Sequence, residues 1–332
     1  MHKSNVFTFS KYVASILCFA LILSACTKPA TPTPTLTPVT VQLQSIHQAE
    51  FAGFYTADQK GYYAEEGLAV TFIEGGTDID NLKNVLDGKA QFGTATADQL
   101  IIARSQGQPL RSLAVEYRRS PTVFFSLAKF GITRPQEFVG KAIRVSITTV
   151  TTLHAVTAMV GVTPDQYTEV NLPSDMALFA TGEVPIWSAY TTGLVIAVQQ
   201  AGHEINIIYP DDYGVHFYAD TIFSTDDIIN NNPDLVLRFL RATLKGWTFA
   251  VENPTDVPAL VQKYAPSADP TLESARMAAS LPLINTGEDH IGWMKPDIWS
   301  DMEQTLREQN VLTSPLDVTQ VYTMQFLEEI YK

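Results

Sequence analysis

Short apolar runs alternate with stretches of helical period along most of this chain. Residues 39–46, 68–74 and 110–117 read as strands, apolar or β-branched runs closed by Gly, Ser or acidic residues, and Gly88-Lys89-Ala90-Gln91-Phe92-Gly93-Thr94-Ala95 turns into another. Between them the period lengthens, which predicts a helix within 49–66 ended by Gly67, and helices over 78–87 and 98–106. A second series starts near Phe124: strands at 124–128, 141–147, 166–171, 184–190 and 203–209, with helices at 134–138, 148–159, 175–180 and 193–201. A third opens with a strand at 219–224 and then turns helical. There Leu235, Phe239, Leu240, Leu244, Trp247 and Val251 fall on one face of a helix over 233–253, followed by helices at 256–264, 272–281, 295–309 and 318–331. Repeated strand–helix–strand order predicts an α/β fold with right-handed crossovers and mostly parallel sheets.

The two sheet-building series predict two lobes. Residues 39–120 with 218–332 form lobe 1, which carries the C-terminal helices, and residues 121–217 form lobe 2. The chain then crosses between them twice. Two α/β lobes on a two-strand hinge make a clamp, with the ligand site between them.

The ends alter this picture. Residues 1–25 have the build of a signal peptide: Lys3 and Lys11 precede an apolar stretch too short for a permanent membrane span. Leu23-Ser24-Ala25-Cys26 resembles the bacterial lipobox, which implies cleavage before Cys26 and lipidation of it. Residues 26–38 are rich in Pro and Thr and form a tether. The expected location is the extracytoplasmic face of the cell membrane, held by the lipid anchor. The chain's two cysteines are Cys18 and Cys26, so the domain beyond has neither thiol nor disulfide, and thiol catalysis and zinc–thiolate sites are excluded. Net charge is −13, and removing Lys3 and Lys11, with no acid in residues 1–25, takes it to about −15. Such a body, read as a monomer, repels nucleic acid.

Candidate ligand contacts cluster where strands end. Gln48, Glu50, Phe51, Phe54 and Tyr55 follow the first strand, where an open α/β sheet faces its crevice. Their rings either stack on a flat ligand, with Gln48 and Glu50 pairing with its edge, or form a core face. Thr96 and Asp98 either meet a ligand or cap a helix, and Thr148 and Thr149 open another helix with free N–H groups. Tyr117 lies at the first crossover. Tyr213, Phe217 and Tyr218 line the second. Alternation turns Trp187 and Tyr190 in different directions, with Tyr190 nearer the crevice. The six histidines show no metal-ligand spacing, and neither a phosphate-binding Gly-rich loop nor a Gly-x-Ser-x-Gly elbow is present. No catalytic residue, metal or cofactor is expected.

Four blocks resemble the Thi5/NMT1-like solute-binding proteins. They are the run from Glu50-Phe51-Ala52-Gly53-Phe54-Tyr55 to Gly67, then Gly88-Lys89-Ala90-Gln91-Phe92-Gly93, Gly140-Lys141-Ala142-Ile143-Arg144-Val145, and Asn232-Pro233-Asp234-Leu235-Val236 to Ala242. The resemblance implies a type II periplasmic-binding-protein fold and a lipoprotein that hands a small molecule to the permease and ATPase of an ABC importer. Family ligands include thiamine pyrimidine precursors, riboflavin and alkanesulfonates. Gln48-Ala49 before an aromatic stretch, on a tethered lipoprotein, is most similar to the riboflavin-binding members, with a thiamine-precursor pyrimidine as the alternative. The family's eukaryotic branch makes the pyrimidine and carries a cysteine cluster that this chain lacks. A pyridoxal-dependent enzyme of that kind also needs a lysine in the cleft, whereas Lys60, Lys89 and Lys141 sit in turn or surface contexts.

Overall fold

In the computed structural model, which describes residues 35–76 and 79–332, each apolar run expected as a strand contributes one. The strands are β1 (Thr37–Gln42), β2 (Leu68–Ile73), β3 (Phe92–Thr96), β4 (Leu110–Val115), β5 (Thr122–Leu127), β6 (Ala142–Val145), β7 (Thr168–Asn171), β8 (Ile186–Tyr190), β9 (Ile205–Ile208) and β10 (Asp220–Thr225). They form two five-stranded sheets, ordered β2-β1-β3-β10-β4 and β7-β6-β8-β5-β9.

The sheets are mixed, and this corrects the mostly parallel expectation. β1 runs parallel to β2 and β3, and β6 parallel to β7 and β8. β10 and β5 run against both their neighbours. The cause is the crossing between sheets. β4 ends at Val115 on the edge where the sheets meet, so β5, starting at Thr122, must run away from that edge. Likewise β9 returns to it at Ile208, and β10 leaves it from Asp220. After β10 the chain stays with the first sheet: Ser112 bridges to Tyr322 and Val115 to Gly292 beside β4.

The amphipathic helix forms over Pro233–Glu252, with Phe239, Leu240, Leu244 and Trp247 buried and Leu235 and Val251 half-buried at the rim. Phe239 stacks on Phe92 of β3 at 3.9 Å between ring centres. Two turns further along the same face the helix crosses Ala52–Gln59 through Gly246, where a Cβ would lie 2.2 Å from the Gly53 carbonyl oxygen.

Among the boundaries that differ from expectation, two have a visible cause. β1 takes in Thr37 and Pro38, assigned above to the tether. Proline's missing N–H is tolerated there because β3 pairs with β1 only at Val41 and Gln42. The single helix expected over 318–331 is instead a 3-10 turn, Val318–Gln320, and a helix, Gln325–Ile330, and the Tyr322 bridge to Ser112 occupies the break. The expected signal peptide, Cys26 and most of the tether lie outside the described residues.

Candidate functional site

One edge of each sheet collects the polar side chains. In the first sheet, Gln44 follows β1, Asp98 follows β3, Glu116 follows β4 and Asp220 opens β10. The antiparallel pairing of β10 with β3 and β4 places its first residue beside their last ones, for Asp220 pairs with Thr96 and Thr221 with Val115. In the second sheet, Tyr190 ends β8, and Thr149 and Thr151 follow β6. Ligands of open α/β sheets bind at such carboxyl ends. The two edges touch: the Tyr190 hydroxyl donates to Asp220 Oδ1 at 2.9 Å, and the Thr151 hydroxyl lies against the Asp98 carboxylate.

The site is acidic and buried. Glu50, Asp98, Glu116 and Asp220 are all buried. Glu50 accepts from the side-chain amides of Gln44 at 3.1 Å and Gln48 at 2.8 Å, and Trp247 Nε1 donates to Glu116 at 2.7 Å. Burial, with the adjacent Asp220 carboxylate, pushes the Glu50 and Glu116 carboxyls well above the usual range. Burial also raises Asp98, and lifts Asp220 to about 6. Glu50 and Asp220 lie close enough to titrate as a pair. No donor reaches Asp220 Oδ2, Asp98 Oδ2 or Gln44 Oε1, all three buried without a partner. These acceptors suit a ligand that brings donors, and the low-dielectric cluster of acids opposes an anion. Among the described residues, no group of three or more His, Cys, Asp and Glu is placed to hold a metal ion.

The raised carboxyls fix a sign for stability. Each binds its proton more tightly folded than unfolded, so its contribution is full below the unfolded value and is lost as pH rises through the folded one. For Asp220 that window runs from 3.8 to about 6. The ligand-free protein is therefore expected to melt at a higher temperature near about pH 5 than near about pH 8, and Asp220→Asn should shrink the difference. Equal slopes of Tm against pH in the two proteins would refute this. Asp87, Asp317 and Glu329, held low chiefly by hydrogen bonds from Lys83, Thr319 and Lys332, act oppositely and at lower pH.

Of the residues expected at the site, the structure brings Gln48, Glu50, Asp98 and Tyr190 to this region. It takes several others elsewhere, which corrects the picture of aromatic platforms. Phe51 is wholly buried among Phe54 and Tyr55. Tyr55 stacks on Tyr264 at 4.3 Å, with its hydroxyl 2.7 Å from His47 Nδ1. The Tyr117 hydroxyl pairs with Ser280 at 2.8 Å in the core. Tyr213 packs half-buried against the core, and Trp187 is fully buried in the second sheet's own apolar cluster. Phe217 and Tyr218 border a separate cavity of about 390 Å³ with Arg118 and Lys295, and Tyr218 packs edge-on to Trp299. Thr96 caps the helix Ala97–Ser105 through a reciprocal bond with Gln99. Thr148 bonds Ser146 at 3.0 Å within the local turn, and the Thr149 hydroxyl bonds Ser188 of β8 at 2.7 Å, so both hydroxyls are already paired within the protein. Helical spacing had allowed a core face for the rings, and burial of this much aromatic surface favours it.

Sequence reasoning missed Gln44, Glu116, Thr151 and Asp220. The available signal was positional: Glu116 ends and Asp220 begins an apolar strand, where a charge has no packing reason to be.

Residues 48–257 match the family described as NMT1/THI5 like. The riboflavin-binding protein RibY of Chloroflexus aurantiacus is 27% identical, over 92% of this chain and 95% of its own. The formylaminopyrimidine-binding protein of Halalkalibacterium halodurans is 27% identical, over 74% of this chain and 76% of its own. Among solved structures, the alkanesulfonate-binding protein SsuA from Xanthomonas axonopodis pv. citri superposes with a TM-score of 0.69 at 13% identity, covering 89% of this chain and 99% of that one.

Proposed function

The chain belongs to the NMT1/THI5-like family, and from that premise we propose that it is the solute-binding component of an ABC importer, capturing riboflavin between its two sheets. Its fold is that of the periplasmic binding proteins. In this reading residues 39–120 with 218–332 and residues 121–217 are the closing lobes. A lipid on Cys26 holds the protein at the extracytoplasmic face, and a permease with its ATPase takes the ligand. The protein performs no chemistry on it, and Lys60, Lys89 and Lys141 support this: Lys60 faces Asp256, Lys89 faces Asp87, and Lys141 is exposed.

One observation carries the choice of ligand. Buried carboxylate and amide oxygens without donors, Asp98 Oδ2, Asp220 Oδ2 and Gln44 Oε1, line the meeting edges. An alkanesulfonate would set its negative charge among them, whereas riboflavin is uncharged and brings an imide N–H and a chain of hydroxyls. A formylaminopyrimidine is also uncharged and a donor, but RibY matches 92% of this chain and the pyrimidine binder 74%.

Thermal melting tests this. A ligand at 100 times its Kd stabilises by about 2.7 kcal/mol, which in a domain of this size is expected to raise Tm by about 5 °C. Riboflavin should produce that shift at micromolar concentration, and an alkanesulfonate none. A shift with formylaminopyrimidine and none with riboflavin would overturn the assignment.

A further inference from the structure

Beside the acidic floor the sheets leave a groove of about 790 Å³, within the range of small-molecule sites. Leu82 and Leu86 of the helix Asn81–Leu86 and Ile102 of Ala97–Ser105 form its wall on the first-sheet side, and Ile147 and Val150 face them from the second. Gln99, Thr151 and the charged Asp80, Lys83 and Asp87 also line it, and Thr151 lies against Asp98, whose buried Oδ2 has no partner. Apolar walls from both sheets thus meet polar side chains, with Asp98 one residue behind Thr151 rather than in the lining. Ile147 is 73% exposed, so nothing in the fold itself accounts for an isoleucine at this mouth.

We infer that this groove holds the fused-ring half of the ligand, gripped between aliphatic side chains, while its hydroxyl chain reaches the carboxylates. The inference rests on the flavin reading of the site. Its lining contains no aromatic side chain; Phe51, Tyr55 and Tyr117 are packed in the core, and Tyr190 is held on Asp220. A flat ring system entering it would cover Ile147 on one side and Leu82 and Ile102 on the other. The amphipathic occupant is favoured over an apolar peptide segment of the permease by Gln99 and Thr151 in the lining, whose polar groups an apolar peptide would cover without pairing.

The test uses the whole protein with two probes: riboflavin, and lumichrome, which has the fused rings without the hydroxyl chain. Covering an aliphatic side chain by ring contact predicts that Ile147→Ser, at a position too exposed to matter for folding, weakens both probes about tenfold. Ile147→Leu should restore them. Asp98→Asn should weaken riboflavin and spare lumichrome. Unchanged riboflavin affinity in Ile147→Ser, with the wild-type protein binding normally, would overturn the groove assignment and leave the flavin reading standing. Unchanged affinity combined with lost uptake through the importer would overturn it in favour of a permease contact. A wild-type protein that binds neither probe would sink both.

Discussion

Gly246→Val is expected to cost about 3 kcal/mol or more of folding stability and to lower Tm by about 10 °C. Gly246 lies where Pro233–Glu252 crosses Ala52–Gln59. A Cβ there would sit 2.2 Å from Gly53 O, 2.8 Å from Ala57 N and 2.9 Å from Ala57 Cβ. Two of these are backbone atoms of a helix, so no rotamer change relieves the clash. The contact is reciprocal, since a Cβ on Gly53 would fall 2.2 Å from the Trp247 ring. Leaving a glycine inside a helix sacrifices about 1 kcal/mol of propensity, so valine recovers part of that and the overlap must exceed it. The helices can separate only by lifting Phe239 from Phe92 and Trp247 from Glu116. Because Glu116 borders the site, the variant should also weaken ligand binding. Urea unfolding measures the first effect, and a midpoint unchanged from wild type would mean that the crossing is not tight.

The sequence carried the strands well and the site only in part, for one physical reason. A buried strand advertises itself over several consecutive residues, as 68–74 and 110–117 do. Strand direction is not encoded that way: β5 and β10 are as apolar as their neighbours, and their reversal follows from where the chain crosses between sheets. Site residues are single positions at strand ends, defined by neighbours more than 100 residues away, as Asp220 is by Thr96. Glu50 and Asp98 were legible because a charge beside an apolar strand invites a reason. Tyr55 and Tyr117 misled because a ring near a crevice and a ring under it look the same in sequence, and only Tyr264 and Ser280, far along the chain, decide between them. The pairing of the two edges, Tyr190 on Asp220, joins residues of different sheets and has no local signature at all.

That pairing yields the second large effect. Asp220→Ala is expected to weaken riboflavin binding by at least about a hundredfold, because it removes two things together. One is an acceptor for the ligand: hydrogen bonds to charged groups contribute about 1.5–3 kcal/mol each. The other is the link between the sheets, since Asp220 Oδ1 accepts a hydrogen bond from the Tyr190 hydroxyl at 2.9 Å. Tyr190→Phe removes the link alone and should cost about tenfold or less. Adding Tyr190→Phe to Asp220→Ala should then change little, because the link is already gone, so the two losses fall short of additive. Riboflavin titrations of the three variants decide the point. If Asp220→Ala loses no more than Tyr190→Phe, the carboxylate serves only to tie the sheets together and the ligand takes its acceptors elsewhere.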